Sequence, residues 1–384
     1  MTPNASPTTL FFIAGEASGD LHTANLVQEL KKIRPTIRFC GLGGPRMREA
    51  GVEILFELTK LAAVGFVDVM RKYHKFHKVF HNTLEEVKKI RPAAVVLTDF
   101  PGFNLRFAQQ IKKCGIPVIY YISPQVWAWK KDRIHTIPKV VDKMLVILPF
   151  EKNIYVDPAM QVDFVGHPLV DEVKPSADKD VLKKEFGLAP DQKVITLLPG
   201  SRKGEVTKIL PIMAQTAELL SAKIPDCTFL IAKTACLQEH LYTTVLKRHS
   251  FKHTIIEGRS YDCFSVSDFA LVKSGTSTLE ATILGIPYVL IYHVSSLTYL
   301  IGRCFVTIPF LGIANIIAGR KIIEEFIQHA AEPAKIASYV HDVLRDENKI
   351  QTIKRDLRSV TDMITTPNAS ANAARSVIAF LDEK

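Results

Sequence analysis

Cysteine is scarce in this chain, and its placement argues against several kinds of site. Six cysteines occur among 384 residues; none forms a C-x-x-C pair, and none has a histidine at zinc-finger spacing. This pattern excludes a zinc finger and predicts small, buried, apolar side chains in a reducing compartment. The cysteines are Cys40, Cys114, Cys227, Cys236, Cys263 and Cys304.

A secretory leader and an uninterrupted membrane span are also lacking. The residues before Gly15 contain no basic start and no long apolar stretch, so we expect no signal peptide. Residues 297–317 are mainly apolar, and a span needs about 20 such residues, but Arg303 and Pro309 interrupt them. We interpret this stretch as a helix and loop lining an apolar cleft, with ordinary core as an equal alternative.

Basic residues exceed acidic ones, giving a formal net charge of +10, so an anionic partner is expected. Nucleic acid, a phosphate-bearing substrate and an anionic membrane all fit that charge. The basic residues are spread along the chain and form no arginine-rich arm, so we expect no nucleic acid. With 47% hydrophobic and 23% charged residues, the composition is typical of a folded globular protein.

Short apolar runs alternate with amphipathic stretches, and the alternation starts twice. Such alternation is typical of α/β domains in which helices cover both faces of a parallel sheet. We predict two Rossmann-like domains, residues 1–170 and 171–354, whose sheets face a cleft. The predicted strands are residues 10–14, 95–98, 118–122 and 145–148, then 194–198, 228–231, 254–256, 269–272 and 288–291.

Two glycine-containing turns in the second half follow predicted strands and open into helices. One is Pro199-Gly200-Ser201-Arg202, and the other is Lys273-Ser274-Gly275-Thr276. Small residues let backbone N–H groups approach an anion, and each helix N-terminus adds about half a positive charge. Two such turns predict a diphosphate site, with Arg202 adding charged donors and Glu280 accepting hydrogen bonds from a ribose.

Asp99 follows a buried strand in the first half and is flanked by Phe100 and Phe103. A partly dry setting raises a carboxyl pKa, so Asp99 is a candidate general base. The alternative is an aspartate that caps the helix starting near Asn104.

The turn from Gly15 to Asp20 also follows a strand, but it lacks G-x-G-x-x-G spacing. Either Ser18, Gly19 and Asp20 contact an acceptor sugar, or the turn is a plain helix start.

Both tryptophans, Trp127 and Trp129, follow another predicted strand, where they either stack on a sugar or anchor packing. His167 is interpreted as a hinge or cleft residue without a catalytic role.

We expect no metal and no cofactor, because the D-x-D match, Asp178 and Asp180, lies in a polar linker. The charge of the leaving group is then stabilised by helix dipoles and Arg202.

Residues 66–90 have apolar side chains at helical spacing beside several lysines. Val69, Tyr73, Phe76 and Phe80 share one face. Such a helix is typical of docking on a membrane surface, but a core-packed helix with a solvated basic face has the same pattern.

Taken together and in this order, these motifs closely resemble the lipid-A-disaccharide synthase family of GT-B-type glycosyltransferases. The resemblance runs from about residue 10 to about residue 328. It rests on Ala14-Gly15-Glu16-Ala17-Ser18-Gly19-Asp20, Gly44-Pro45-Arg46-Met47, Asp99-Phe100-Pro101-Gly102-Phe103-Asn104, Ser123-Pro124-Gln125-Val126-Trp127-Ala128-Trp129, Leu148-Pro149-Phe150-Glu151, Gly166-His167-Pro168, Leu198-Pro199-Gly200-Ser201-Arg202 and Ser274-Gly275-Thr276 through Glu280.

The resemblance implies an inverting, metal-independent transfer. The donor is UDP-2,3-diacylglucosamine, the acceptor is 2,3-diacylglucosamine 1-phosphate (lipid X), and the products are a β-1,6-linked disaccharide 1-phosphate and UDP. It also implies a cytoplasmic protein attached peripherally to the anionic inner membrane, and a tail, residues 355–384, packed on the first domain. A homodimer is left open.

Residue by residue, the family's proposed base corresponds to Asp99, its phosphate-binding arginine to Arg202 and its nucleotide-contacting glutamate to Glu280. An Asn-x-x-Ala-Gly segment with later Glu and Gln corresponds to Asn315, Ala318, Gly319, Glu325 and Gln328. The chain departs from the family pattern at Ala314, where proline is usual, and at Lys273, where a small residue is usual.

Two other classes of function, one enzymatic and one non-catalytic, use the same features. A UDP-sugar epimerase or a glycosyltransferase with a soluble acceptor needs no apolar surface. A non-catalytic module would bind nucleotide or membrane without turnover.

Overall fold

The structure is a computed structural model that describes residues 8–62, 73–129, 131–295, 299–300 and 308–384. The chain divides into two compact units. Unit 1 comprises Met1–Pro168 and Ile364–Lys384, and unit 2 comprises Leu169–Met363.

Unit 1 is built on a seven-stranded parallel sheet of order β3-β2-β1-β4-β5-β6-β7. The central strands β1, β4 and β5 are almost entirely buried, as expected for strands covered on both faces. The strands are β1 (Thr9–Ala14), β2 (Arg38–Gly43), β3 (Glu53–Glu57), β4 (Ala94–Thr98), β5 (Val118–Tyr121), β6 (Lys143–Val146) and β7 (Gln161–Phe164).

The helices of unit 1 cover both faces of this sheet, and each face has its own hydrophobic core. The final helix, Ala369–Asp382, packs against the first and buries Val377 and Phe380 there. The α-helices are Ala17–Ile33, Pro45–Glu49, Leu58–Ala62, Tyr73–Ile90, Pro101–Lys113, Val126–Trp129 and Ala369–Asp382, with 3-10 turns at Lys131–His135, Ile137–Lys139 and Pro149–Asn153.

Unit 2 repeats the plan with a six-stranded parallel sheet of order β10-β9-β8-β11-β12-β13. One large core joins its strands to the covering helices. The strands are β8 (Lys193–Leu198), β9 (Cys227–Lys233), β10 (His253–Glu257), β11 (Phe269–Lys273), β12 (Tyr288–Tyr292) and β13 (Glu324–Ile327).

The helices of unit 2 follow the strands in alternation, as the sequence pattern predicts. They are Leu169–Glu172, Lys179–Glu185, Lys203–Lys223, His240–Leu246, Ser260–Val266, Thr276–Ile283, Ile313–Ala318, Pro333–Leu344 and Glu347–Ile364, with a 3-10 turn at Gln328–Ala330. The last of these buries Leu357 and Val360 in the unit 2 core, and the chain passes into unit 1 at Ile364.

The predicted fold class, α/β with two parallel sheets, is confirmed. The cysteine prediction is wrong at one position: Cys236 is exposed in the turn after β9, and Cys114 is only partly buried. Cys40, Cys227 and Cys263 are buried, as predicted, and Cys304 lies outside the described residues.

Candidate active site

A cavity of about 560 Å³ opens at the carboxyl ends of β8, β9, β10 and β11 in unit 2. Strand order reverses between β8 and β11, and ligands of open α/β sheets bind at such switch points. Six of the seven predicted nucleotide-binding residues line the cavity: Gly200, Ser201, Arg202, Gly275, Thr276 and Glu280. The seventh, Ser274, is half-buried, and its amide donates to the carbonyl of Ile291 (3.0 Å).

The first turn is shaped by Gly200 and closed by Glu205. Gly200 has φ +117°, a conformation that favours glycine. The helix Lys203–Lys223 has Arg202 at its N-cap, and the Glu205 carboxylate accepts from the amides of Ser201 (3.2 Å) and Arg202 (3.4 Å). The Arg202 side chain is 83% exposed, so its guanidinium is accessible at the edge of the cavity.

Lys273 adds a second cation to the cavity. It ends β11, beside β8, and its Nζ lies 2.9 Å from Oε1 of Glu205. The Lys273 side chain lines the cavity and does not point outward. Burial raises the pKa of Glu205, but the hydrogen bond and charge of Lys273, with the two turn amides, outweigh burial and lower it.

The second turn places Gly275 before the helix Thr276–Ile283. Glu280 lies one turn into this helix, half-buried, and its carboxylate accepts from the Tyr261 hydroxyl (3.4 Å). Burial raises the pKa of Glu280, and hydrogen bonds from Ser277 and Tyr261 oppose that shift. A carboxylate so placed can accept hydrogen bonds from ligand hydroxyl groups.

Other cavity residues follow β9 and β10, and sequence reasoning missed them. Lys233 ends β9, is buried, and forms an ion pair with Glu257 at the end of β10. Thr234, Gly258 and Ser260 also line the cavity. Both strands were predicted from the sequence. The residues after their carboxyl ends could therefore have been identified as candidates for the cavity lining.

In unit 1, Asp99 lies at the corresponding switch point, between β1 and β4. The register pairs Ala14 with Thr98, so Gly15 and Asp99 emerge side by side. The helix Pro101–Lys113 begins after Phe100 at the N-cap position, so the alternative in which Asp99 caps this helix is wrong.

The backbone at Asp99 is held in an unusual conformation. Asp99 and Phe100 have φ values of +47° and +46°, which are rare for residues other than glycine. The Asp99 carbonyl accepts from Tyr120 Oη (2.5 Å) and Asn104 Nδ2 (2.8 Å), which hold that conformation. Such strain is often found at functional sites.

The Asp99 carboxyl group is adapted to hold a proton more tightly than usual. Burial raises its pKa, and the negative charge of Glu16 adds to the rise. A hydrogen bond from the Phe100 backbone and the charge of His22 act in the opposite direction. A carboxylate of raised pKa suits general base catalysis.

The turn after β1 packs tightly against this site. A Cβ on Gly15 would lie 2.4 Å from the Phe100 ring, so only glycine fits there. Ser18 is exposed, and Gly19 is buried near Thr98.

The Asp20 carboxylate is buried and has a supporting role. It accepts from the amides of Gly44 (2.7 Å), Arg46 (3.0 Å) and Met47 (3.1 Å) and so fixes the start of the helix Pro45–Glu49. Its predicted contact with an acceptor stays a prediction.

Asn315 and Glu325 are joined by a hydrogen bond inside unit 2, and Gln328 bonds a separate loop. Asn315 is fully buried; its Nδ2 donates to Glu325 Oε1 (2.7 Å), and its Oδ1 accepts from the amide of Ile322 (2.7 Å). Glu325 also accepts from the Leu311 and Gly312 amides, and Gln328 bonds both backbone groups of Val294. These residues support loops in the structure, and their assignment to the acceptor remains a prediction.

The two tryptophans have different environments. Trp127 is a packing anchor: it is buried, lies edge-on to Phe150, and its Nε1 donates to Glu151 Oε1 (3.0 Å). Trp129 is 42% exposed.

Two buried titratable groups of unit 1 have shifted pKa values. Burial raises the pKa of Glu151 to about 7. His167 is buried as well, which lowers its pKa to about 3.

The helix Tyr73–Ile90 directs Phe76 and Phe80 inward. Phe80 packs edge-on to Phe103 and Phe107 at centroid distances of 5.4 and 5.3 Å, and Phe76 lies near Phe100. Both rings are half-buried, as the core-packed alternative describes.

Val69 and the side chain of Tyr73 lie outside the described residues, and so does most of 297–307. Among the described helices, none is long and apolar enough to span a bilayer.

The model of the lipid-A-disaccharide synthetase family matches residues 10–379. The chain belongs to this family. A lipid-A-disaccharide synthase of Syntrophus aciditrophicus is 42% identical over 366 residues, covering 95% of this chain and 96% of that protein. A lipid-A-disaccharide synthase of Geobacter sulfurreducens is 38% identical over 384 residues and covers both chains fully.

Solved structures agree on the fold. The UDP-GlcNAc 2-epimerase of Neisseria meningitidis, bound to UDP-GlcNAc, has a TM-score of 0.62 at 14% identity, covering 98% of this chain and 100% of that one. MurG of Acinetobacter baumannii has a TM-score of 0.57 at 13% identity, with the same coverage. Identities this low support the architecture and not the activity.

Proposed function

We propose that this chain joins two acylated glucosamine units into the disaccharide of lipid A. UDP-2,3-diacylglucosamine is the donor and 2,3-diacylglucosamine 1-phosphate is the acceptor. The observation that carries the proposal is the family match over residues 10–379. An anion-binding cavity in unit 2 and the carboxyl group of Asp99 in unit 1, whose pKa is raised by burial, supply the two chemical requirements of a glycosyl transfer.

The cavity in unit 2 is proposed to hold the UDP part of the donor. Backbone N–H groups of both turns, the helix N-termini and the Arg202 guanidinium all favour a diphosphate. Glu280 is positioned to accept hydrogen bonds from ribose hydroxyls. As the bond from the anomeric carbon to the diphosphate breaks, these groups stabilise the charge that develops on UDP.

Asp99 is proposed as the general base. It takes the proton from the acceptor 6-hydroxyl while that oxygen attacks the anomeric carbon from the face opposite the diphosphate. One C–O bond forms, one breaks, UDP departs, and the configuration at carbon 1 inverts. The raised pKa of Asp99 suits proton abstraction near neutral pH.

A membrane contact is proposed for the outer face of the helix Tyr73–Ile90. Lys75 and Lys78 are exposed there, and both substrates carry acyl chains. The lysines would attract anionic headgroups, which supports peripheral association with the inner membrane.

The decisive experiment mixes the purified protein with both acylated substrates and detects the product by mass spectrometry. A disaccharide phosphate together with released UDP is expected. A parallel reaction uses deacylated acceptor. An enzyme for soluble acceptors would use the acylated and the deacylated acceptor equally well, whereas the proposed function requires the acylated one. Epimerised UDP-sugar without disaccharide, or UDP binding without any turnover, would contradict the proposal.

A further inference from the structure

The anion-binding turn of unit 2 already holds an anion, the carboxylate of Glu205. Its Oε2 accepts from the amides of Ser201 (3.2 Å) and Arg202 (3.4 Å). A Cβ on Gly200 would lie 2.5 Å from the same oxygen, so the carboxylate lies directly against the open side of the glycine. These amides are the groups that a phosphate would use.

The cations of the site face the same carboxylate. Lys273 Nζ lies 2.9 Å from Glu205 Oε1, and Arg202 Nη1 lies 3.9 Å from it. Lys273 also reaches the second turn, with its Nζ 3.4 Å from the position of a Cβ on Gly275. One lysine therefore touches the parts of the cavity formed by both turns.

An ordinary helix cap explains only part of this arrangement. Glu205 and Arg202 meet the pattern of a capping box, in which a glutamate at the third helical position bonds the N-cap amide. That pattern needs no lysine. Lys273 comes from β11, which is a sheet neighbour of β8, and its side chain is only 21% exposed in this ion pair.

Resting on the proposed function, we propose that Lys273 is a ligand of the donor diphosphate and that the Glu205 carboxylate occupies the diphosphate site until the nucleotide binds. A carboxylate and a phosphate repel each other and compete for the same donors. Nucleotide binding then exchanges the Glu205 contacts for phosphate contacts, and Glu205 recovers them when UDP leaves. Glu205 thereby weakens UDP binding and favours product release.

The first test measures UDP affinity of Glu205→Gln by calorimetry. Glutamine keeps an oxygen that caps the helix but removes the competing charge. UDP should bind about five-fold more tightly than to wild type, the effect of about one ordinary hydrogen bond, because glutamine still competes for the turn amides and only the repulsion by the carboxylate charge is removed. Uridine, which lacks phosphate, should bind equally to both proteins. Unchanged or weaker UDP binding to the variant, or an equal gain for uridine, would overturn the inference.

Lys273→Ala provides a second test that does not depend on the folding of the first variant. UDP should bind more weakly to it, while uridine binding stays unchanged, and Lys203→Ala, outside the cavity lining, is the matched control. In the Glu205→Gln background the loss from Lys273→Ala should be larger, because the lysine is no longer engaged by the carboxylate. Unchanged UDP binding in Lys273→Ala contradicts the inference alone, whereas no UDP binding by wild type overturns the proposed function as well.

Discussion

In each sheet the carboxyl ends of the strands form one edge, and these two edges present opposite chemistry on the same scaffold. Each lies at the switch point of a parallel sheet, β1 and β4 in unit 1, β8 and β11 in unit 2. In unit 1, burial and a neighbouring carboxylate raise the pKa of Asp99. In unit 2, a lysine and two amides lower the pKa of Glu205. One edge is suited to accept a proton, and the other to hold an anion.

The largest effect is expected from Asp99→Asn, which removes the proposed base and retains the shape of the side chain. Transfer should slow by about 10²- to 10⁴-fold, the usual contribution of general base catalysis. Steady-state assay of disaccharide formation measures it, with Asp99→Ala as a second variant. Near-full activity in either variant would remove Asp99 from the mechanism and end the contrast between the two edges.

Arg202→Ala should reduce kcat/KM roughly ten- to hundred-fold, because one charged hydrogen bond to a phosphate is lost. Because Arg202 lies at the edge proposed to hold the diphosphate, UDP affinity should fall as well as the rate. Lys203→Ala, the adjacent exposed lysine, is the control and should behave like wild type. Equal effects of the two substitutions would mean that general surface charge, and not the turn, holds the diphosphate.

Lys75→Gln and Lys78→Gln should each weaken binding to phosphatidylglycerol vesicles by about five-fold, since a lysine near an anionic surface contributes about 1 kcal/mol. Cosedimentation measures the change, and neutral vesicles should show none. Lys88→Gln is the matched control on the same helix, because Lys88 is paired with Glu85 at 2.8 Å. Equal losses for all three variants would argue against a defined docking face.

The smallest effect is expected from Glu16→Gln. As the proposed base, Asp99 must be ionised for activity, so kcat/KM should fall as the pH falls through its raised pKa. Removing the Glu16 charge lowers that pKa, so the acidic limb of the pH–rate profile should shift to lower pH. Glu49→Gln, on the exposed surface, should leave the limb in place. A shift to higher pH would contradict the assigned cause.

Much of the fold was predictable because buried strands are continuous apolar runs. Strands β1, β4, β8 and β11 match this pattern closely. The missed strands depart from it: β3, β7 and β13 are edge strands with charged residues, and β2 contains two glycines.

The candidate site was only partly predictable for a related reason. Glycine-containing turns after strands are local signals, and they pointed to the residues that line the cavity. The pair of Glu205 and Lys273 is separated by 68 residues in sequence and is formed by the adjacency of β8 and β11. The positive φ of Asp99 depends likewise on Tyr120, which is 21 residues away in sequence and is brought close by the pairing of β4 with β5.

A calorimetric UDP titration of wild type, Asp99→Asn and Arg202→Ala tests the division of work between the two edges most directly. The account predicts that Asp99→Asn binds UDP with wild-type affinity while Arg202→Ala binds it at least about ten-fold more weakly. Weakened UDP binding in Asp99→Asn, to the same degree as in Arg202→Ala, would contradict it.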